Sequence, residues 1–139
     1  MLEEYQDLIE ELLGTPGIVR EAMAQGHDPE QIVLIAALHA RDREALDRVQ
    51  RLIRETSPHF KILPDFETAI AAAQAPSDPA AMLESFETSR GDLVSLLMNL
   101  TLKDWENTAT HDAGGQVSLV DEVEQHVEFD EAFRARFEG

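Results

Sequence analysis

The sequence contains no cysteine, few basic residues and no long apolar run. Without cysteine, disulfides, thiolate metal ligands and a cysteine nucleophile are all excluded. Lys and Arg total 11 against 28 Asp and Glu, which gives a formal net charge of -17. Because nucleic acids and anionic membrane surfaces are both bound through basic side chains, this balance argues against either partner. No apolar stretch approaches the roughly 18 residues that a membrane span needs.

What the chain does contain is enough apolar sequence for a folded domain. Hydrophobic residues make up 43% of its 139 residues, which is ordinary globular usage. The length fits one domain, predicted over residues 1–139. Glu3 and Glu4 lie close to Met1, without the basic and apolar regions of a signal peptide, so we expect a cytoplasmic protein.

Apolar residues recur with helical spacing along almost the whole chain. Asp28-Pro29 and Asp78-Pro79 are typical helix starts, and Ser118 with Asp121 resembles a capping box. The pattern predicts four long helices, over about 2–24, 29–55, 79–100 and 118–137. It adds a short helix over 66–73, a helical turn over 101–105, a loop over 107–115 and no convincing strand. The predicted fold class is therefore all-α, a helical bundle.

Two residues lie where an unbroken helix would not favour them. Pro16 should kink or interrupt the first helix, because proline has no N–H for the helix hydrogen bond. Gly91 lies within the apolar stripe of the third long helix and lowers its helix propensity by about 1 kcal/mol relative to Ala.

Polar residues lie in the middle of two faces that should be buried. On a helical wheel, His39 and Asp42 fall on the apolar line of the second long helix, and His126 and Asp130 fall on that of the last. A buried polar group without a partner costs roughly 1–3 kcal/mol. We therefore expect these four residues to meet each other, a ligand, or a divalent metal such as Zn, Ni or Fe.

Two interpretations need no metal. The four residues could form two buried His–Asp hydrogen-bonded pairs, each within one helix, or one helix could be rotated so that its polar pair faces water. Glu122, Glu124 and Glu128 are interpreted as a solvated face, and Trp105, the only tryptophan, as a core residue.

Two segments near the start of the last helix have recognisable sequences: residues 96–106 read LLMNLTLKDWE, and residues 111–119 read HDAGGQVSL. The first resembles the element that precedes the last helix in the DinB-like (DinB/YfiT-type) four-helix-bundle family, and the second resembles the run into the fourth helix of that family. The resemblance extends in order over nearly the whole chain. It implies a four-helix bundle with a long crossover between helices two and three.

The resemblance also implies a metal held by one His of helix two and two residues spaced i, i+4 on helix four. The run His39–Glu44 matches the family's His-x-x-Asp-x-Glu pattern, so His39, His126 and Asp130 become the predicted ligands. Asp42 would orient His39. The sequence departs from the family at Phe129 and Phe133, which occupy the usual ligand positions counted from Ser118 and cannot bind a metal. Either the site is shifted by a turn or it has decayed.

Three functions follow as expectations. The first is a metal-dependent enzyme, a thiol-dependent S-transferase or a hydrolase, with a thiol or another small molecule as ligand. The second is a non-catalytic bundle with a degenerate metal site that acts as a binding module or a homodimer. The third is a bundle that binds a small molecule through the same polar groups without a metal.

Overall fold

The computed structural model describes residues 2–139, so that Met1, the first residue of the predicted domain, lies outside the described residues. The long helices are α1 (Leu2–Ala24), α2 (Pro29–Arg54), α4 (Pro79–Met98) and α6 (Leu119–Glu138). The short helices are α3 (Phe66–Ala72) and α5 (Leu102–Trp105). Both α1 and α2 pack against α4 and α6, which confirms the all-α four-helix fold class. Within residues 2–139, none of these helices is both long and apolar enough to span a bilayer.

Side-chain caps fix where three of the long helices begin. Asp28, Asp78 and Ser118 each accept a hydrogen bond from the backbone N–H three residues later. Pro29 and Pro79 follow two of these caps at the first helical position, where the missing N–H has no cost. The predicted starts are confirmed because these signals act within one helical turn.

The helices α1 and α4 each continue through the residue that was expected to disturb them. Pro16 lies inside α1, and its missing N–H leaves the Leu12 carbonyl without its usual helix hydrogen bond. That carbonyl instead accepts a hydrogen bond from Arg90 on α4 at 2.8 Å. Gly91 lies inside α4, which runs to Met98 as one helix.

The prediction that the chain has no strand is wrong. A small sheet contains β1 (His59–Phe60), β2 (Thr108–His111) and β3 (Gln116–Ser118), in the order β1-β2-β3. β1 is parallel to β2 and pairs Phe60 with His111, and β2 is antiparallel to β3. Gly114 and Gly115 close the hairpin with φ values of 92° and 78°, a conformation that glycine adopts without strain. The loop predicted over 107–115 is therefore largely part of a hairpin.

The connection between α2 and α4 covers residues 55–78 and contains β1 and α3. Its short helix was predicted over residues 66–73 and is observed as Phe66–Ala72. Phe60 anchors the connection in the core. The crossover implied by the family resemblance stays a prediction.

The core consists of two hydrophobic clusters. The first cluster includes Leu12, Val49, Leu93 and Val123, and the second cluster includes Val19, Leu38, Phe86 and Phe133. Each long helix thus contributes to both clusters. On each long helix, one or two buried polar residues lie between these residues of the first cluster and those of the second. They are Thr15, Asp42, Arg90, His126 and Asp130. These five residues, called here the polar layer, separate the two clusters.

Candidate functional site

Arg90 is the centre of the polar layer. Its side chain is fully buried, and Nε and Nη2 donate to the two carboxylate oxygens of Asp42 at 3.0 and 2.8 Å. Nη2 and Nη1 donate to the two oxygens of Asp130 at 2.7 and 3.1 Å. Nη1 also donates to the Leu12 carbonyl. All five N–H donors of the guanidinium are therefore used, and they join α4 to α1, α2 and α6.

Charge pairing outweighs burial at both Asp42 and Arg90. Burial alone would raise the pKa of Asp42, but Arg90 and the hydrogen bond with His126 hold that pKa below its ordinary value. Burial alone would lower the pKa of Arg90, but Asp42 and Asp130 raise that pKa above its ordinary value. Both groups are therefore charged at neutral pH, and they form an ion pair in the folded interior.

Asp130 has two further partners that the sequence analysis did not identify. The Thr15 hydroxyl donates to Asp130 Oδ2 at 2.5 Å, and Arg134 Nε donates to the Thr15 oxygen at 2.8 Å. Arg134 Nη2 lies 4.0 Å from Asp130 Oδ2. Asp42 and Asp130 together carry one more negative charge than Arg90 neutralises, and Arg134 supplies a second cation at the edge of the layer.

His126 lies in the polar layer as predicted, but its partner is Asp42. The distance from Nε2 to Asp42 Oδ1 is 2.7 Å. An ionised carboxylate can only accept, so Nε2 carries the proton in this contact. The other ring nitrogen, Nδ1, is buried and has no hydrogen-bond partner among the described residues. His126 also lines a cavity of about 10 Å³, which is close to the size of one water molecule.

His39 is half-buried on α2 and stays outside this network. Its Nδ1 is buried without a partner among the described residues, and no side-chain hydrogen bond within residues 2–139 joins His39 to His126 or Asp130. Burial lowers the pKa of His39, and the nearby negative charge of Asp42 only partly opposes this. Asp42, which was expected to orient His39, is instead hydrogen-bonded to His126 and Arg90.

The polar layer as placed does not fit a divalent metal ion. Every carboxylate oxygen of Asp42 and Asp130 is already bound by Arg90, whose positive charge would repel a second cation there. Within residues 2–139, no three His, Asp or Glu side chains are grouped so that they could hold a metal. The ligand set of His39, His126 and Asp130 stays a prediction from the sequence.

Phenylalanine occupies the two positions at which the family resemblance expects metal ligands. Phe129 and Phe133 are both buried and belong to the second cluster. Phe129 packs edge-on against Phe66 with ring centroids 5.3 Å apart, and Phe133 stacks on Phe137 at 5.0 Å. The face of α6 that would carry a family-type metal centre is therefore part of the apolar core.

A second buried ion pair corrects the interpretation of Glu122 as solvated. Arg48 Nη1 lies 3.0 and 3.1 Å from the two carboxylate oxygens of Glu122, and both side chains are buried. Arg48 Nη2 also donates to the Lys61 carbonyl, and the guanidinium lies over the Phe60 ring, 4.7 Å from its centroid. Glu124 and Glu128 are exposed, as predicted.

The sequence does carry a signal for both missed arginines. Arg90 stands four residues after Phe86 and three before Leu93, inside the buried stripe of α4. Arg48 stands beside Val49 and four residues before Leu52 on α2. A charged residue within an apolar stripe indicates a buried partner, by the same reasoning that selected His126.

Among the comparisons with known proteins, the one with solved structures supports this fold. No family model and no curated protein matches the sequence. A similar solved structure is YfiT from Bacillus subtilis, described as a probable metal-dependent hydrolase with an unusual four-helix bundle topology. The two chains are 18% identical and superpose with a TM-score of 0.68, over 99% of this chain and 90% of YfiT. The likeness confirms the DinB-like four-helix bundle at the level of the fold.

Proposed function

We propose that this chain is a non-catalytic bundle of the DinB-like fold, with a degenerate metal site, that acts as a binding module. The observation that carries the proposal is the Arg90 guanidinium, whose five donors are all bonded within the protein. A catalytic metal needs an open coordination position that substrate can reach. The polar layer offers neither, since Arg90 is 1% exposed and the carboxylates are occupied.

The second cluster supports the same proposal. Histidine or carboxylate ligands at positions 129 and 133 would have to be exposed to a metal and to solvent, whereas Phe129 and Phe133 are buried among apolar side chains. A metal in the polar layer would also have to displace Arg90 and leave that cation buried without a partner. Breaking a buried ion pair in this way costs about 3–5 kcal/mol.

Metal analysis of protein purified without an affinity tag tests the proposal. We expect far less than one Zn, Ni or Fe per chain, and no rise in melting temperature when any of these ions is added, because an ion bound to the folded state must raise it. His126→Ala removes a predicted ligand, and His27→Ala is the matched control at an exposed turn. One metal per chain that is lost in His126→Ala and kept in His27→Ala would overturn the proposal.

A metal-dependent transferase or hydrolase is the second candidate function. Two observations favour it: the unpartnered Nδ1 atoms of His39 and His126, and the description of YfiT as a probable metal-dependent hydrolase. This function requires Asp130 to exchange Arg90 for a metal ion. The metal analysis separates the two candidates, because only this one requires a stoichiometric ion.

A further inference from the structure

An open apolar groove lies between α1 and the C-terminal end of α4. Its floor is the stacked pair Tyr5 and Trp105, with ring centroids 4.5 Å apart and an interplanar angle of 8°. Ile9 and Leu13 line it on the α1 side, and Met98 lines it on the α4 side. We call it the α1–α4 groove. Its volume is about 430 Å³, and none of its lining residues belongs to the polar layer.

Large apolar side chains are exposed at this groove. Leu13 is 57% exposed and Met98 is 66% exposed, and both line it. Leu102, 52% exposed, lies on α5 only three residues before Trp105. Ile62 is the remaining large apolar side chain that is strongly exposed among the described residues. Two of these four exposed side chains, Leu13 and Met98, thus line one groove, and exposed apolar residues that lie together are typical of an interaction surface.

Two exposed glycines lie on the same pair of helices, outside the lining of the groove. Gly17 is one turn beyond Leu13 on α1, and Gly91 is two turns before Met98 on α4. A Cβ atom built at either glycine meets nothing within 4 Å among the described residues. Internal packing therefore does not require glycine at these positions, although each lowers helix stability by about 1 kcal/mol relative to Ala. Small residues on an exposed face permit the close approach of another backbone.

Acidic side chains border the α1–α4 groove. Glu10 lines the groove and also lines an adjoining cleft, which contains Asp7 and Glu11. The one basic residue of that cleft, Arg134, is already bonded to Thr15 and to Glu11. The groove therefore combines an apolar floor with a negative edge, on a chain whose net charge is -17.

This charge decides between two occupants of the groove. A second copy of the chain would bring two acidic edges together, and like charges across an interface oppose association. A partner with basic side chains would be attracted from a distance and would pair with the edge on contact. An amphipathic helix supplies both an apolar stripe and charged flanks, and a hydrophobic groove is the site that such a helix uses.

We propose that the α1–α4 groove binds a cationic amphipathic helix of a partner protein. Apolar residues of that helix fill the groove over Tyr5 and Trp105, between Leu13 and Met98, and its Lys or Arg residues pair with Glu10. This inference rests on the proposed function as a binding module and names the class of partner.

A peptide titration of the full chain tests this proposal. The probe is a designed helix of about 18 residues, made only of Leu and Lys, with Leu at i, i+3, i+4 and i+7. Because the chain has a single tryptophan and the probe has none, a change in Trp105 emission reports occupation of the groove floor. We expect saturable binding with a shift in this emission, and no binding of the same helix with Glu in place of Lys.

Matched variants separate the groove from general attraction between opposite charges. Leu13→Ser and Met98→Ser should each weaken binding by about tenfold, as truncation of an interface anchor does. Ile62→Ser, at an exposed apolar residue outside the lining, should leave the affinity unchanged. Glu10→Lys should weaken binding more than Glu124→Lys, which makes the same charge change on the exposed face of α6.

Three results would overturn the proposal. One is no saturable binding, and another is equal weakening by Glu10→Lys and Glu124→Lys. The third is a dimer in sedimentation equilibrium that Leu13→Ser dissociates, since a second copy would then occupy the groove.

The titration contains a metal chelator and the metal analysis contains no peptide. Failure of this inference is therefore distinguishable from failure of the proposed function.

Discussion

Arg90 provides the positive charge that allows two carboxylates to be buried in the interior of this protein. Two buried carboxylates, Asp42 on α2 and Asp130 on α6, are both paired with the Arg90 guanidinium. A buried ion pair adds little stability compared with apolar side chains in place of both partners. Removing only one partner is different, because it leaves an uncompensated charge in a medium of low polarity. The cost of losing Arg90 is therefore much larger than the net value of the pairs that it makes.

We predict that Arg90→Met lowers the free energy of unfolding by about 3–5 kcal/mol at pH 7, because it strands Asp42 and Asp130. Urea denaturation followed by circular dichroism measures this loss. Arg90→Lys keeps the charge but cannot provide five donors in a planar fork, so its loss should be smaller. This second variant keeps the prediction testable if Arg90→Met does not fold.

Arg20 provides the control for Arg90. It also forms a two-point contact from one long helix to another, with Glu87 at 2.8 and 2.6 Å, but it is exposed to solvent. Arg20→Met should therefore change stability only slightly, since exposed ion pairs contribute little. Equal losses in Arg20→Met and Arg90→Met would contradict the assignment of a special role to the polar layer.

Arg48 of α2 connects the small sheet to the helical bundle. Arg48 bonds the Lys61 carbonyl, lies over the Phe60 ring and neutralises buried Glu122. Strands of two to four residues are too short to be stable alone. The position of β1 therefore follows from contacts with the bundle.

We predict that Arg48→Ala increases hydrogen exchange in residues 59–61 and in β2 more than in the long helices, and lowers global stability because Glu122 is left buried without a partner. Hydrogen exchange measured by mass spectrometry tests this. Arg51→Ala is the matched control, since Arg51 also lies over Phe60, at 5.0 Å, and bonds the His59 carbonyl, yet it is not paired with a buried acid. The same exchange pattern in both variants would contradict the prediction.

The sequence predicted helices well and strands poorly for a physical reason. The caps at Asp28, Asp78 and Ser118 act within one turn, so the residues that define each start are adjacent in sequence. The pairing of Phe60 with His111 joins segments 51 residues apart, and neither strand is long enough to show alternation. The pairing of β1 was missed because nothing local encodes it, whereas the Gly114-Gly115 pair between β2 and β3 is a local hairpin signal.

The same distinction applies to the candidate site. Helical spacing predicted that His126 and Asp130 face inward, and the structure places both in the polar layer. Spacing could not tell which groups meet, because the contacts of Arg90 join four helices through packing that no single helix defines. Only the position of Arg90 within an apolar stripe was visible in the sequence.

At the scale of the whole molecule, repulsion among acidic side chains opposes folding. The net charge of -17 is confined to one small bundle, and two of the 11 basic residues, Arg48 and Arg90, are buried in ion pairs. Exposed pairs such as Arg20–Glu87 and Arg136–Glu67 offset only part of the remaining charge. Uncompensated charge of one sign destabilises a compact state through self-repulsion.

We therefore predict that NaCl stabilises the fold. The urea midpoint should rise between about 10 mM and 0.5 M NaCl, because the screening length falls from roughly 30 Å to less than 10 Å over this range. The buried contacts of Arg90 are shielded from solvent ions and should be little affected. The Glu124→Gln/Glu128→Gln variant removes two exposed like charges spaced i, i+4 on α6, so its midpoint should depend less on salt. A urea midpoint that falls with NaCl would mean that attraction in exposed ion pairs outweighs repulsion among the acidic side chains. The acidic surface would then not destabilise the fold, and a cationic partner would relieve no repulsion by binding to it.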